Sequence, residues 1–135
     1  MLVSLLALSA ATPDIVFKHI KIANAWVHET NGSSAVLNVT IANTDGRADR
    51  LVRASTPIAA KVAIWNQLGQ QGSGLSIPGR AEFVMREGGD VPRIELMGLT
   101  EELRAHATFN LLLVFEQAGK IRIDVAVEKI SSLAR

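Results

Sequence analysis

Apolar and polar residues alternate along much of the chain from Ile15 onward. In residues 34–43, every second residue from Ala35 to Ile41 is apolar, and residues 121–130 repeat this pattern. Successive side chains of a β-strand point to opposite faces of a sheet, so a period of two predicts a strand with one face on a core. We therefore expect two strong strands here, each with a largely polar outer face.

Six other segments are rich in Val, Ile, Leu and Thr, a composition typical of strands. They are residues 15–27, 50–55, 61–67, 81–87, 93–97 and 108–117. Turn-forming residues separate them, and Ala118-Gly119 between two strong strands predicts a hairpin. Residues 69–79 have the composition of a flexible loop, and residues 100–106 form at most one helical turn. Seven or eight strands without intervening helices predict an all-β fold, a Greek-key β-sandwich.

The first twelve residues differ in character from the rest of the chain. They are an apolar run ending in small residues, which is typical of the hydrophobic core and cleavage region of a secretory signal, and Pro13 ends the run. The basic start of such signals is missing, and the alternative is an ordinary apolar first strand. We expect residues 1–12 to be a signal remnant and residues 13–135 to form one exported domain. No segment is long enough to span a bilayer as a helix, so we expect no membrane-spanning part after signal removal.

Charge and composition argue against several classes of function. Fourteen Lys and Arg stand against thirteen Asp and Glu, so no basic footprint for nucleic acid is expected. Cysteine is absent, which excludes thiolate metal sites and a cysteine nucleophile. The chain also lacks HExxH, GxSxG and a phosphate-binding glycine loop before a helix. We therefore expect no enzymatic activity.

The three histidines are candidate metal ligands, because imidazole suits copper and zinc. His19 and His28 are nine residues apart, so on one continuous strand they lie on opposite faces. His106 precedes a predicted strand and is expected to be exposed. Met85 and Met97 fall in strand-like runs and are first interpreted as core residues.

Trp65 has the opposite parity to Val62 and Ile64, so we expect it to point to solvent or to the rim of the sandwich. Two interpretations are open. The ring lies over the loop of residues 69–79, which we favour, or it is an exposed aromatic at a partner surface.

Several fragments resemble, in order, the PCu(A)C family of periplasmic copper chaperones. Residues 21–27 (Lys-Ile-Ala-Asn-Ala-Trp-Val) resemble its opening strand, and residues 35–43 resemble its second strand. Residues 49–57 (Asp-Arg-Leu-Val-Arg-Ala-Ser-Thr-Pro) are similar to its Asp-Arg-Leu-x-x-Ala-x-Ser-Pro stretch. Residues 96–99 and 113–119 are similar to parts of its C-terminal half. The resemblance implies a cupredoxin-like sandwich that holds one Cu(I) with two His and two Met at one end.

The chain departs from that family wherever the resemblance puts a copper ligand. Trp65 stands in place of the first His, residues 70–74 replace a Met-rich loop, and Arg93 and Glu95 replace the final His-x-Met. A cation and a carboxylate are poor substitutes for imidazole and thioether toward Cu(I). We therefore expect no metal at these family positions. The alternative candidates for copper ligands, which the sequence does not support geometrically, are His28, Met85 and His106.

Two functions remain open. The first is a divergent PCu(A)C-like domain with a degenerate metal site, which acts as an accessory in copper trafficking or cytochrome oxidase assembly. The second is a metal-free module that binds a periplasmic protein through Trp65, Arg93 and Glu95. No cofactor is expected in the second case, and copper is conceivable only in the first.

Overall fold

The computed structural model describes residues 13–130, so the expected signal remnant at residues 1–12 lies outside the described residues. Within the described range the chain forms eleven strands and no helix. None of its segments between residues 13 and 130 is a helix with the length and apolar character needed to cross a membrane. The prediction of an all-β fold is confirmed.

The strands lie in two sheets. In chain order they are β1 (Ile15–Phe17), β2 (Ile20–His28), β3 (Ser34–Val36), β4 (Asn38–Asn43), β5 (Asp49–Ser55), β6 (Ala59–Trp65), β7 (Leu75–Ile77), β8 (Glu82–Met85), β9 (Arg93–Leu99), β10 (Thr108–Phe115) and β11 (Gly119–Glu128). The large sheet has the order β7-β5-β10-β11-β2-β4-β8, with β1 paired to β2, and the small sheet has the order β3-β9-β6. Neighbouring strands are antiparallel except β11 and β2, which are parallel.

The segment of residues 15–27 is two strands and not one. Phe17 pairs with Ile20, so Lys18 and His19 form a two-residue hairpin turn between β1 and β2. Lys18 has φ 54°, in the left-handed region that such turns require. The turn contains no Gly, Pro or Asn, which is why the composition did not reveal it.

The segment of residues 34–43 is also divided, because it passes from one sheet to the other. The amide of Leu37 still donates to the carbonyl of Ile94 in the small sheet, at 2.9 Å. The next residue, Asn38, pairs with Trp26 in the large sheet. Strand β7 lies inside the expected loop of residues 69–79 and pairs with β5. These differences account for eleven strands where seven or eight segments were expected.

The core lies between the inner faces of the two sheets. Residues 121–125 follow the predicted alternation: Ile121, Ile123 and Val125 are buried, whereas Arg122 and Asp124 are exposed. Ala126, which was expected on the outer face, is buried as well. The small sheet contributes three buried apolar residues to the same core, namely Ile64, Ile94 and Leu96. Side chains alternate between the two faces of a strand, so the sequence neighbours of these residues on the strands point away from the core. Trp65, Arg93 and Glu95, the predicted partner-binding residues, are among these neighbours.

Candidate functional site

Trp65, Arg93 and Glu95 lie together on the outer face of the small sheet. Ile64 pairs with Ile94 on the inner face, so their neighbours Trp65 and Arg93, which also pair, lie on the outer one. Glu95 follows two residues after Arg93 on β9 and shares its face. All three side chains are half-buried. The predicted outward orientation of Trp65 therefore agrees with the register.

The loop after β6 folds back against Trp65. The side-chain oxygen of Asn66 accepts hydrogen bonds from the amides of Leu68 at 2.9 Å and Gln70 at 3.0 Å, which makes a tight turn. Gln71 then forms an isolated β-bridge with Trp65. The structure thus brings together Trp65, residue 71 of the loop and Arg93, three regions for which the resemblance predicted copper ligands.

Arg93 stacks on Trp65. Its guanidinium carbon lies 5.3 Å from the centroid of the indole ring, a distance at which a cation and an aromatic face attract each other. The indole Nε1 of Trp65 and the Nε of Arg93 are both buried, and neither has a hydrogen-bond acceptor among the described residues. Both groups are hydrogen-bond donors without a free lone pair, so neither fits Cu(I) as a ligand. Glu95 offers only hard oxygen, which does not fit that ion either.

The alternative copper candidates are not assembled into one site. Met85 is 3% exposed and belongs to the core. His28 lies on the outer face of the large sheet, where its ring meets that of Trp26 edge-on at 4.8 Å. His106 is exposed in the loop before β10. Over residues 13–130, no group of three or more His, Cys, Asp or Glu side chains is placed to hold a metal ion.

His28 has a carboxylate partner that the sequence did not reveal. Its Nδ1 forms a short hydrogen bond with Glu87, and the amide of Glu87 donates to the side-chain oxygen of buried Asn38 at 2.9 Å. This pair lies in a groove of about 470 Å³ that Ser34 and Lys129 also line. His28 is therefore held by a neighbouring carboxylate, and the residues that line this groove include no second imidazole and no thioether.

Asp49 is the one acidic residue among the buried polar side chains of the described chain. One carboxylate oxygen accepts the amides of Arg50 at 2.7 Å and Gln117 at 2.8 Å. The other accepts the amide of Ala118 at 3.0 Å and the Nε2–H of His19 at 2.8 Å. Burial raises the pKa of Asp49, but these donors outweigh burial and hold its pKa below the ordinary value.

This network explains why an acidic residue begins the Asp-Arg-Leu stretch. Asp49 ties the start of β5 to the turn between β10 and β11 and to the β1–β2 turn through His19. In the sequence, Asp49 stands out only as part of the stretch that resembles the PCu(A)C family. The one signal in the sequence was an acidic residue directly before the apolar run of a strand. This signal does not by itself predict a buried carboxylate, because most donors to Asp49 lie far from it in the sequence.

The described fold is that of a class of proteins, the cupredoxin-like β-sandwiches of the PCuAC type. The chain matches the family model described as "Putative lipoprotein LpqE-like" over residues 20–127. It therefore belongs to the LpqE-like family. No curated protein matches the chain significantly.

Solved structures agree with this class. The copper-bound PCuAC domain from PmoF2 has a TM-score of 0.77 at 24% identity, covering 87% of this chain and 99% of that one. The apo PCuAC domain from PmoF1 has a TM-score of 0.79 at 20% identity, covering 87% and 100%. The Cu(I) form of DR1885 from Deinococcus radiodurans has a TM-score of 0.66 at 20% identity, covering 90% and 83%. These likenesses show the fold, and the predicted resemblance to PCu(A)C domains is confirmed.

Proposed function

We propose that this chain is a divergent, exported member of the PCuAC-like group that acts as an accessory in copper trafficking or cytochrome oxidase assembly. In this proposal it does not hold Cu(I) at the family position and has no catalytic role. It works by contacting another exported protein with the end of the sandwich that carries Trp65, Arg93 and Glu95. The copper-bound states of PmoF2 and DR1885 support the connection to copper.

The observation that carries the proposal is the stacked Trp65–Arg93 pair. It occupies the end of the sandwich where the resemblance predicts copper ligands, and it consists of two hydrogen-bond donors. A permanent cation also repels Cu(I). An aromatic residue with an arginine is, by contrast, a combination enriched where proteins bind one another tightly.

A Cu(I) titration of the purified domain against a competing chelator tests the absence of the metal site. We expect no stoichiometric retention of copper. Tight one-to-one binding would contradict the proposal, and its loss in His28→Ala or His106→Ala would locate the site elsewhere in the chain.

A designed gain of function provides the matched positive control. A variant combining Trp65→His, Gln71→Met, Arg93→His and Glu95→Met supplies two imidazoles and two thioethers at the same end. We expect this variant to retain one Cu(I) per chain, because soft ligands then converge there. If it retains no more copper than the native domain, these four residues are not the counterparts of the family's ligands.

The second candidate is the metal-free binding module, which uses the same end to bind a partner but has no part in copper trafficking. Capture of partners from a periplasmic extract with the native domain and with Trp65→Ala tests this contact surface. Leu68→Ala is the control, since Leu68 is 80% exposed in the adjoining loop. An unchanged set of captured proteins in Trp65→Ala would remove Trp65 from the contact surface.

A further inference from the structure

We infer that the Trp65–Arg93 pair is a recognition site for a carboxylate, specifically an acidic side chain on the surface of the partner protein. The inference rests on the proposed function, because that function gives this end of the sandwich a protein partner. It adds the chemical class of the group that this end binds.

The first support is the charge of Arg93. No carboxylate of the described chain lies within ion-pair distance of its guanidinium, although five ion pairs form elsewhere among the described residues. Glu95 shares the outer face of β9 but does not reach it. The guanidinium therefore keeps a half-buried positive charge for which the described residues provide no counter-charge.

The second support is the pair of donors without acceptors. Buried N–H groups nearly always have a hydrogen-bond partner, because burial removes the water that would otherwise accept from them. Here two such groups belong to neighbouring cross-strand residues, Nε1 of Trp65 and Nε of Arg93. A carboxylate that binds this pair accepts from donors that make no hydrogen bond to the described chain. A carboxylate satisfies both the donors and the charge, whereas a carbonyl or a water satisfies only the donors.

Part of the Trp65–Arg93 pair faces solvent, because both side chains are only half-buried. The two N–H groups themselves are buried, so a carboxylate reaches them once the side chains rotate about their χ angles. The guanidinium carbon lies 5.3 Å from the indole centroid, and a planar guanidinium offers parallel donors that match the two oxygens of a carboxylate. Glu95 lies on the same face and repels an incoming anion, so it weakens the binding of a carboxylate.

NMR titration with a short acidic peptide tests the inference. The probe is acetyl-Glu-Glu-amide, and acetyl-Gln-Gln-amide at equal ionic strength is its control. We expect the resonances of the Trp65 indole N–H and the Arg93 Nε–H to shift with saturation for the acidic peptide alone. The indole N–H of Trp26, the second tryptophan, is the internal control and is expected to stay in place.

Variants separate charge from geometry. Arg93→Gln is expected to abolish the saturable shift, Arg93→Lys to weaken binding at least threefold, and Glu95→Gln to strengthen it severalfold. Trp65→Phe keeps an aromatic ring but removes the Nε1–H, and is expected to weaken binding. An equal response to the glutamine peptide, or binding unchanged in Arg93→Gln, would overturn the inference. The Cu(I) titration measures copper binding, whereas the NMR titration measures peptide binding. Failure of the proposed function and failure of this inference are therefore distinguishable.

Discussion

Asp49 illustrates how much one residue contributes to this structure. Its carboxylate is buried and accepts hydrogen bonds from three backbone amides and from His19. Hydrogen bonds to a charged acceptor are stronger than those between neutral groups, so this network favours the ionised form. The depressed pKa of Asp49 reflects that preference.

Asp49→Asn is expected to lower the free energy of unfolding at pH 7 by about 2 kcal/mol or more. An amide side chain carries an N–H₂ group, which meets the donors of Ala118 or Gln117 instead of accepting from them. Urea denaturation followed by tryptophan fluorescence measures the change. The control is Asp14→Asn, since Asp14 is half-exposed and forms only a surface ion pair with Lys21.

The acid dependence of stability follows from the same carboxylate. Because the pKa of Asp49 is lower in the folded than in the unfolded chain, its contribution is complete above the ordinary value of 3.8. It is lost as the pH falls through the lower, folded-state pKa. We expect stability to drop with acid below that ordinary value, and less steeply in Asp49→Asn. Equal slopes in the two proteins would show that other carboxylates control the acid transition.

At the scale of elements, Gly98 shows why β9 carries a glycine within its Leu-Met-Gly-Leu stretch. Its φ is 67°, and a Cβ added there would lie 2.8 Å from the Cβ of Ala60 in β6. A left-handed backbone and a close approach therefore coincide at one position. The glycine serves the pairing of β9 with β6, on which the candidate site is built.

Gly98→Ala is expected to destabilise the protein by about 1–3 kcal/mol, through backbone strain and the clash with Ala60. The melting temperature and the free energy from urea denaturation measure the effect. Gly46→Ala is the matched control, because a Cβ there meets nothing within 4 Å and the φ is not positive. A loss in Gly98→Ala no larger than in the control would contradict this account of β9.

At the scale of the whole molecule, the position of a strand in its sheet sets its protection from exchange. Strands β10 and β11 lie in the interior of the large sheet, whereas β7 and β8 are at its ends. Amides of interior strands exchange mainly through larger unfolding events, and those of edges through local opening.

Hydrogen exchange followed by NMR or mass spectrometry is expected to be slowest in β10 and β11 and fastest in β7, β8 and β3. The expected difference is at least tenfold between the two groups of amides. Leu111 and Val125 on the interior strands compare directly with Val84 on the edge strand. Equal protection of β8 and β10 would mean that the large sheet opens only as one unit.

The sequence predicted those parts of the molecule that depend on local periodicity. Alternation identified most of the strands and the inward residues of β11, and the parity of Trp65 predicted its outward orientation. It missed the turn at Lys18 because no turn-forming residue marks it, and it missed β7 because that strand exists only by pairing with β5.

The candidate site at the Trp65–Arg93 end of the sandwich was likewise predicted only in part. From the sequence alone, Trp65, Arg93 and Glu95 were known only as replacements for the ligands of a resembling family. Their assembly required the register of β6 against β9, which pairs Trp65 with Arg93. That pairing, and the two donors it leaves without acceptors, come from contacts between residues distant in sequence. Period and parity are local properties of a chain, whereas register depends on how whole faces bury their apolar residues, and only the tertiary structure decides it.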